Sequence, residues 1–399
     1  MNICVVNTFF PPHVSGTARA SFLLSRRISE AGHSVTVVTS SIEGPPKIEK
    51  SEDMVVHRLR SVRYPKLEML HKADVYNNLL PGNLARIVRI LRTGNIELVH
   101  VYGQFYDLTF LSVLAAKAMR LPIVLTIGTR MAHARMPYDA LFRIADKTLV
   151  KHLVARRVDR IIAMDRLMSD YMKNRYGVET AIRFIPAGVD VGRFENASGE
   201  SVRPRHGLSE QDHVILSMGN LSNFRRLDSL TRALPGVLKE FPRLKILVVG
   251  SLYDNSSVEL VRRLGLERSV IFCGRVDYDM MPSYLGACDL VANDLDLASW
   301  SGMGIGLASL EAMASGKTVV TSATEDNFMD LRLRNWHDIV LVRPSNTCDI
   351  SLALVRLLSD RRLRESVGRN ARRLVREHFS LEALHQKYEA VYEELVNGS

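Results

Sequence analysis

A single carboxylate, Glu311, stands inside the segment GMGIGLASLEAMASGKTVV (residues 302–320), where three glycines precede an apolar repeat of helical spacing. Gly302, Gly304 and Gly306, with Ile305 between the last two, fall where the helix would start. Residues without side chains let backbone N–H groups approach a phosphate there, and the helix dipole favours negative charge. Leu307, Leu310, Met313 and Ala314 continue the repeat, and Gly316 stands where a left-handed C-terminal cap belongs. Glu311 is thereby set one to two turns inside a helix whose start suits an anion. A carboxylate in that place accepts hydrogen bonds from two neighbouring hydroxyls of a ribose. The same glycines taken alone serve equally as turn and packing residues.

The flanking elements must hold that segment in position. Residues 318–321 read as a buried parallel strand, and before them come strands at 214–217, 245–249, 270–272 and 290–292, separated by helices at 227–240, 257–264 and 280–287. In such sheets ligands sit at the carboxyl ends of the strands, so Gly250, Gly274 and the 302–306 loop are predicted to converge. An earlier series has strands at 3–7, 34–39, 54–59, 98–101, 123–126 and 160–163, with helices at 17–31, 83–92, 109–119 and 138–157. Ser15 and Gly16, after the turn-rich FFPPHVSG, open the first of those helices. The alternation predicts two tandem Rossmann-like, doubly wound parallel-sheet domains of the α/β class with a cleft between them, spanning 1–187 and 188–380. FIPAGVDVGRF (184–194) is the linker candidate, and helices are expected at 350–358, 363–378 and 381–395.

A chain of 399 residues, 46% hydrophobic and 24% charged, fits a folded protein of more than one core. The four cysteines, Cys4, Cys273, Cys288 and Cys348, are too far apart for a zinc pattern or a disulfide framework, which fits a reducing cytoplasm. Met1 leads straight into a strand-like run and no apolar stretch approaches the roughly 20 residues of a membrane span, so membrane contact is expected to be peripheral at most. Charge is asymmetric: residues 1–183 hold 27 Lys and Arg against 15 Asp and Glu, net +12, whereas the remainder holds 26 against 28, net −2. That half would be drawn to an anionic surface such as the inner face of a membrane, or would simply carry a solvated basic face. No nucleic-acid module is recognisable. In 138–157, Leu141, Ile144, Leu149, Leu153 and Val154 alternate with Arg143, Lys147, Lys151, Arg156 and Arg157, a stripe suited either to an anionic membrane or to packing on its own sheet.

The order of landmarks over nearly the whole chain resembles the family 4 glycosyltransferases of the GT-B fold, a retaining, nucleotide-sugar-dependent group. The resemblance rests on FFPPHVSG and GHSVTVVT, ELVHVYG, IPAGVD, GNLSNFRR, LVVGS, VIFCGRV, GIGLASLEAMASGKTVV and the helical tail. It implies an N-terminal acceptor-binding domain, a second domain for the nucleotide diphosphate sugar, and a last helix (381–399) that crosses back to the first. No metal or other cofactor is implied. Glu311 matches the second glutamate of the family's E-x7-E pattern, which holds the ribose. Gly304, Ile305 and Gly306 would meet the diphosphate together with Arg225 and Arg226, the latter pair matching the family's lysine. Gly274 and Arg275 would line the base pocket, beside Gly250. Ser15, Gly16, Thr129, Arg130 and His133 would face the acceptor, which the resemblance leaves open as a glycan, a lipid-linked molecule or a small molecule.

Several positions depart from the pattern. Met303 replaces the first glutamate, Asn220 the usual arginine, Gly128 a histidine beside the transferring sugar, Ala187 an asparagine and Ser15 a glycine. Gly128, Thr129 and Met303 would flank the reacting carbon. Paired guanidinium groups at 225 and 226 stabilise a leaving phosphate as well as Arg plus Lys. A methionine at 303 suits a deoxygenated hexose, because an apolar wall leaves no carboxylate unpaired. Asp294 or Asp296 would reach the same space, or belong to a polar surface loop. His133 would replace the missing imidazole, or be an exposed loop histidine, and Trp300 would stack on a sugar or pack. The expectation is a hexosyl- or deoxyhexosyltransferase. Its alternatives are an altered protein that binds nucleotide sugar or partners an active transferase, and an epimerase or phosphorylase on the same fold.

Overall fold

The structure, a computed structural model, describes residues 1–399 apart from 14, 43, 66, 68–74, 131, 134, 179–180, 196, 222–225, 254, 297–304 and 399. The chain forms two units, Met1–Gly188 with Leu381–Ser399, and Val189–Ser380.

The first unit is built on strands β1 (Asn2–Val6), β2 (Ser34–Ser40), β3 (Lys47–Ser51), β4 (Met54–Leu59), β7 (Leu98–Tyr102), β8 (Ile123–Ile127), β9 (Arg160–Ala163) and β10 (Ile182–Phe184), while β5 (Val62–Arg63) and β6 (Tyr76–Asn77) form a separate pair. Their order in the sheet is β10-β9-β8-β7-β1-β2-β4-β3. All neighbours are parallel except β3, which runs antiparallel to β4 at the edge. The central strands are continuous apolar runs such as NICVV and IVLTI, as strands covered on both faces must be. The edge strand KIEKS carries three charges, which explains why no apolar pattern announces it within 40–75.

Helix Leu381–Asn397 buries Leu384, Tyr388, Val391, Tyr392 and Leu395 in the same core as Ile3, Val5, Val35 and Val37. His100 on β7 is fully buried there, with Nδ1 2.7 Å from the Tyr392 hydroxyl, Nε2 2.7 Å from Thr126 Oγ1, and its ring stacked on Tyr102. Two hydroxyl partners satisfy a neutral ring and burial opposes a proton, so the imidazole is pushed down to about 3.

The expected helix over 138–157 is two joined elements: an α-helix, Met136–Ala145, and a π-helix, Asp146–Ala155. Asp146 is buried, accepts from the hydroxyls of Tyr171 (2.5 Å) and Tyr176, and pairs with Arg175 at 3.3 Å. Burial raises its carboxyl, against the lowering effect of these partners. Val150, Val154 and Ala155 share the inward face. Leu141, Ile144, Leu149 and Leu153, expected in one stripe with Val154, are instead exposed. Val154 stands four residues after Val150 and eight after Asp146 and shares their inward side, whereas the other four members of the stripe lie off it.

The second unit has six parallel strands, β11 (His213–Met218), β12 (Leu244–Val249), β13 (Val270–Gly274), β14 (Leu290–Ala292), β15 (Val319–Thr321) and β16 (Val340–Leu341), in the order β13-β12-β11-β14-β15-β16. Strand order reverses between β11 and β14, the place where doubly wound sheets open a crevice.

His100 makes stability fall in acid. Its proton affinity is depressed in the folded state, so the unfolded chain binds more protons between pH about 6.5 and about 3. Denaturation followed over that window is expected to show this group removing about 1.4 kcal/mol per pH unit, a slope that His100→Gln flattens; an unchanged slope would contradict the buried neutral ring.

Candidate functional site

The carboxyl ends of β11, β12 and β13 are tied by backbone hydrogen bonds: Gly219 N–H donates to Val249 (2.8 Å) and Gly250 N–H to Gly274 (2.9 Å). Gly250 has φ +145°, and a Cβ there would lie 2.2 Å from the Gly219 carbonyl oxygen, so only glycine lets these two strand ends close. Asn220 follows. Its Oδ1 accepts from the Ser251 N–H at 2.9 Å, joining the loops after β11 and β12. Its amide oxygen thus joins two loops at the place where the resemblance expects a guanidinium.

Across the switch point, Asn293 follows β14 and is buried. Its Oδ1 accepts from Met218 N–H at 2.8 Å and its Nδ2 donates to Ser309 Oγ at 3.3 Å. Ser309 lies in the first turn of helix Leu307–Ala314, so Asn293 clamps the start of that helix to the end of β11. Gly306 is the N-cap, in extended conformation, and has no side chain to cap with. The first amides of the helix therefore stay available to an anion. Ile305, beside it, has a buried side chain. At the other end Gly316 has φ +78°, and Gly316 and Lys317 N–H groups donate to Met313 and Ala312, the Schellman closure.

Glu311 lies in the second turn and is 5% exposed. The Tyr278 hydroxyl donates to its Oε1 at 2.6 Å. Tyr278 belongs to the short turn Tyr278–Met280 after β13; the Arg193 guanidinium sits 4.6 Å above its ring and pairs with Asp279, and Phe194 meets the ring edge-on. Neither Tyr278 nor Asn293 was foreseen from the sequence. A lone tyrosine or asparagine in a turn has no periodic signature, although the placement of Asn293 directly after an apolar strand is a usable hint.

Gly274 ends β13 with φ +68° and open space around it, and Arg275 beside it is exposed. Arg226 is exposed and pairs with Asp228 at 2.7 Å. Asp296 accepts from Ser229 N–H at 3.1 Å and from the Ser229 hydroxyl, capping helix Asp228–Glu240. Burial raises its carboxyl, and the Ser229 bonds oppose that. Asp294 takes a left-handed backbone with φ +55°. Gly302, Met303, Gly304, Arg225 and Trp300 lie outside the described residues. Among the described residues, no cluster of three His, Cys, Asp or Glu side chains is arranged to hold a metal ion.

In the first unit, Asn7 at the end of β1 donates to Thr17 C=O (3.1 Å) and Ser21 Oγ (2.8 Å), seating helix Gly16–Glu30. Ser15 is that helix's N-cap, accepting from Ala18 N–H at 3.2 Å, and a Cβ on Gly16 would meet nothing within 4 Å. Gly128 and Thr129 follow β8, and Gln104 Nε2, from the loop after β7, donates to Thr129 C=O at 2.9 Å. Gln104 is fully buried, and its Oε1 has no partner among the described residues. Arg130 is partly buried. His133 is not an exposed loop histidine: it is 2% exposed, its Nδ1 accepts from Arg135 N–H at 3.0 Å, and its N–H donates to Asp139 at 3.0 Å. Its ring is thus committed to shaping the turn before helix Met136–Ala145.

Two family profiles match successive stretches, Glycosyltransferase Family 4 over residues 14–193 and Glycosyl transferases group 1 over 199–374. The chain belongs to the family 4-like glycosyltransferases of the GT-B fold. This glycosyltransferase is 24% identical over 323 residues to the alpha-monoglucosyldiacylglycerol synthase of Streptococcus pneumoniae, covering 79% of this chain and 69% of that protein. It is 27% identical over 397 residues to the D-inositol 3-phosphate glycosyltransferase of Salinispora arenicola, covering 91% and 85%. Its fold matches the crystal structure of Anabaena HepE in complex with UDP-glucose with a TM-score of 0.75 at 17% identity, covering 98% and 99% of the two chains.

Two substitutions test how the glycosyltransferase builds this region. Gly250→Ala is expected to cost about 2–4 kcal/mol in urea denaturation, since a methyl group must displace backbone. Tyr278→Phe leaves buried Glu311 with one donor fewer and is expected to cost about 1–2 kcal/mol. Wild-type stability in either variant would show the corresponding contact to be idle.

Proposed function

We propose that the chain transfers a hexosyl or deoxyhexosyl group from a nucleotide diphosphate sugar to an acceptor, with retention of anomeric configuration and without a metal. The observation that carries this reading is the placement of Glu311. A buried carboxylate one turn behind a glycine-capped helix start, beside the switch point of a doubly wound sheet, has the arrangement needed to accept hydrogen bonds from both ribose hydroxyls while the helix start meets the diphosphate.

In this reading Tyr278 orients Glu311 through Oε1, so the second oxygen keeps a defined direction toward the ribose. Gly274 and Arg275 border the base. Gly304, Ile305 and Gly306 supply amides, and Arg225 with Arg226 neutralises charge on the leaving diphosphate. Met303, apolar where the family pattern has a glutamate, supports a sugar lacking one hydroxyl. Gly128 and Thr129 border the reacting carbon; Ser15, Gly16, Arg130 and the turn shaped by His133 form the acceptor side in the first unit. The unpartnered Gln104 Oε1 supports a hydroxyl-bearing acceptor there. The UDP-glucose complex of HepE and the sugar-transferring relatives support the donor class.

A thermal-shift screen against nucleoside diphosphates and nucleotide sugars tests this. One nucleotide, held at about 100 times its dissociation constant, is expected to stabilise the protein by about 2.7 kcal/mol, and Glu311→Ala to abolish the shift. No shift with any nucleotide would overturn the donor reading and favour a partner subunit; a shift without turnover of the nucleotide sugar would leave a binder in its place.

A further inference from the structure

Helices bury one face and expose the other, yet the element formed by Met136–Ala145 and Asp146–Ala155 exposes its apolar side chains. Met136 is 73% exposed, Leu141 49%, Ile144 62%, Leu149 55% and Leu153 40%. Five large apolar groups on one element is more than the scattered exposure normal for a protein surface. Asp146, Val150 and Val154, four residues apart, turn inward, while Ile144, Leu149 and Leu153 stay on the outward side. Buried Asp146, with its tyrosine and arginine partners, anchors the inward side and leaves the apolar row outward.

Charge selects what covers this row. Arg143, Lys147, Arg156 and Arg157 are exposed around it and Lys151 is partly so. The two carboxylates of the element are withdrawn: Asp139 has its side chain 13% exposed and pairs with Arg143, and Asp146 is fully buried. The outward side is therefore apolar and positive, in a chain whose first 183 residues carry net +12. A protein partner with a matching groove would need only the apolar row. A bilayer with anionic headgroups takes both features at once, with apolar side chains at the acyl boundary and the long Lys and Arg side chains reaching up to phosphates.

We propose that this helix is a membrane-docking surface that lays the first unit on an anionic lipid bilayer. The element begins eight residues after Gly128, so the carboxyl end of β8, with Gly128, Thr129 and Arg130, leads directly into the docked helix. The surface lies wholly in the first unit and does not depend on the donor reading.

The test is co-sedimentation of the full chain with vesicles of phosphatidylcholine containing about one third phosphatidylglycerol, at about 20 mM and about 0.5 M salt. Binding is expected at low salt and loss of it at high salt, with pure phosphatidylcholine binding weakly. Ile144→Glu with Leu149→Glu is expected to lower the partition at least roughly tenfold, and Lys147→Ala roughly fivefold. An unchanged urea-denaturation midpoint in these variants separates loss of docking from loss of fold. Three results would overturn the proposal: no binding of the wild type to anionic vesicles at low salt, equal binding by the double variant, or self-association of the wild type that the double variant abolishes without any vesicle binding. The last would assign the face to a second copy of the chain.

Discussion

The donor site proposed for the second unit depends on the seating of one eight-residue helix, Leu307–Ala314. Isolated helices below roughly 12–15 residues are marginal in water, so this one takes its position from its neighbours. Three contacts supply it. Asn293 clamps Ser309 in the first turn; Tyr278 holds Glu311 in the second; and past the C-terminus, the carbonyl of Gly316 lies so near Gly368 that a Cβ at 368 would stand 2.0 Å from it. Each contact comes from a different element, after β14, after β13 and from helix Arg361–His378. The direction of the helix dipole and of the Glu311 carboxylate is thus set by the whole unit, which is what preorganisation of a binding group requires.

The first unit meets the same requirement, that groups at the carboxyl edge of a parallel sheet find partners, with short amides and hydroxyls. Asn7 seats the first helix and Gln104 joins the loops after β7 and β8. His100 does so at greater depth, using both ring nitrogens to connect β7, β8 and the C-terminal helix. Such networks are costly when half satisfied, and among the described residues the Oε1 of buried Gln104 has no partner.

The two sheets were legible because their central strands are continuous apolar runs bounded by glycine and polar turns, and because Leu307, Leu310 and Met313 repeat with helical period. Glu311 was legible for the same reason, as the one carboxylate within that repeat. What escaped was whatever lacks a period. Edge strand β3 is charged, Tyr278 and Asn293 are single residues in turns, and the inward side of 146–155 is anchored by a buried aspartate whose tyrosine partners lie 25 and 30 residues away in sequence. Leu149 is exposed and Val154 buried, so the stripe suggested by the alternation is divided between the two sides of the element. His133 was misplaced for a related reason. Its burial comes from Asp139 and from Tyr138 and Phe142 at ring distances of 4.9 and 6.0 Å, all on the helix that follows the loop.

The departures at 220 and 226 can be weighed against each other physically. Asn220 is fixed by its bond to Ser251 and carries no charge, so in the proposed donor reading neutralising a diphosphate would fall to Arg226 and its neighbour at 225. Arg226 already has a partner in Asp228, yet its side chain is 48% exposed and that of Asp228 21%. An ion pair so open to water is worth little, and a doubly charged phosphate group offers the guanidinium a stronger, bidentate acceptor. Asp228 also loses little on release, because it lies in the first turn of helix Asp228–Glu240, where the dipole favours a carboxylate on its own. In that reading the pair would act as a reserve of positive charge six residues along the chain from the position where the resemblance expects an arginine, and the loss of that arginine at 220 need not empty the site.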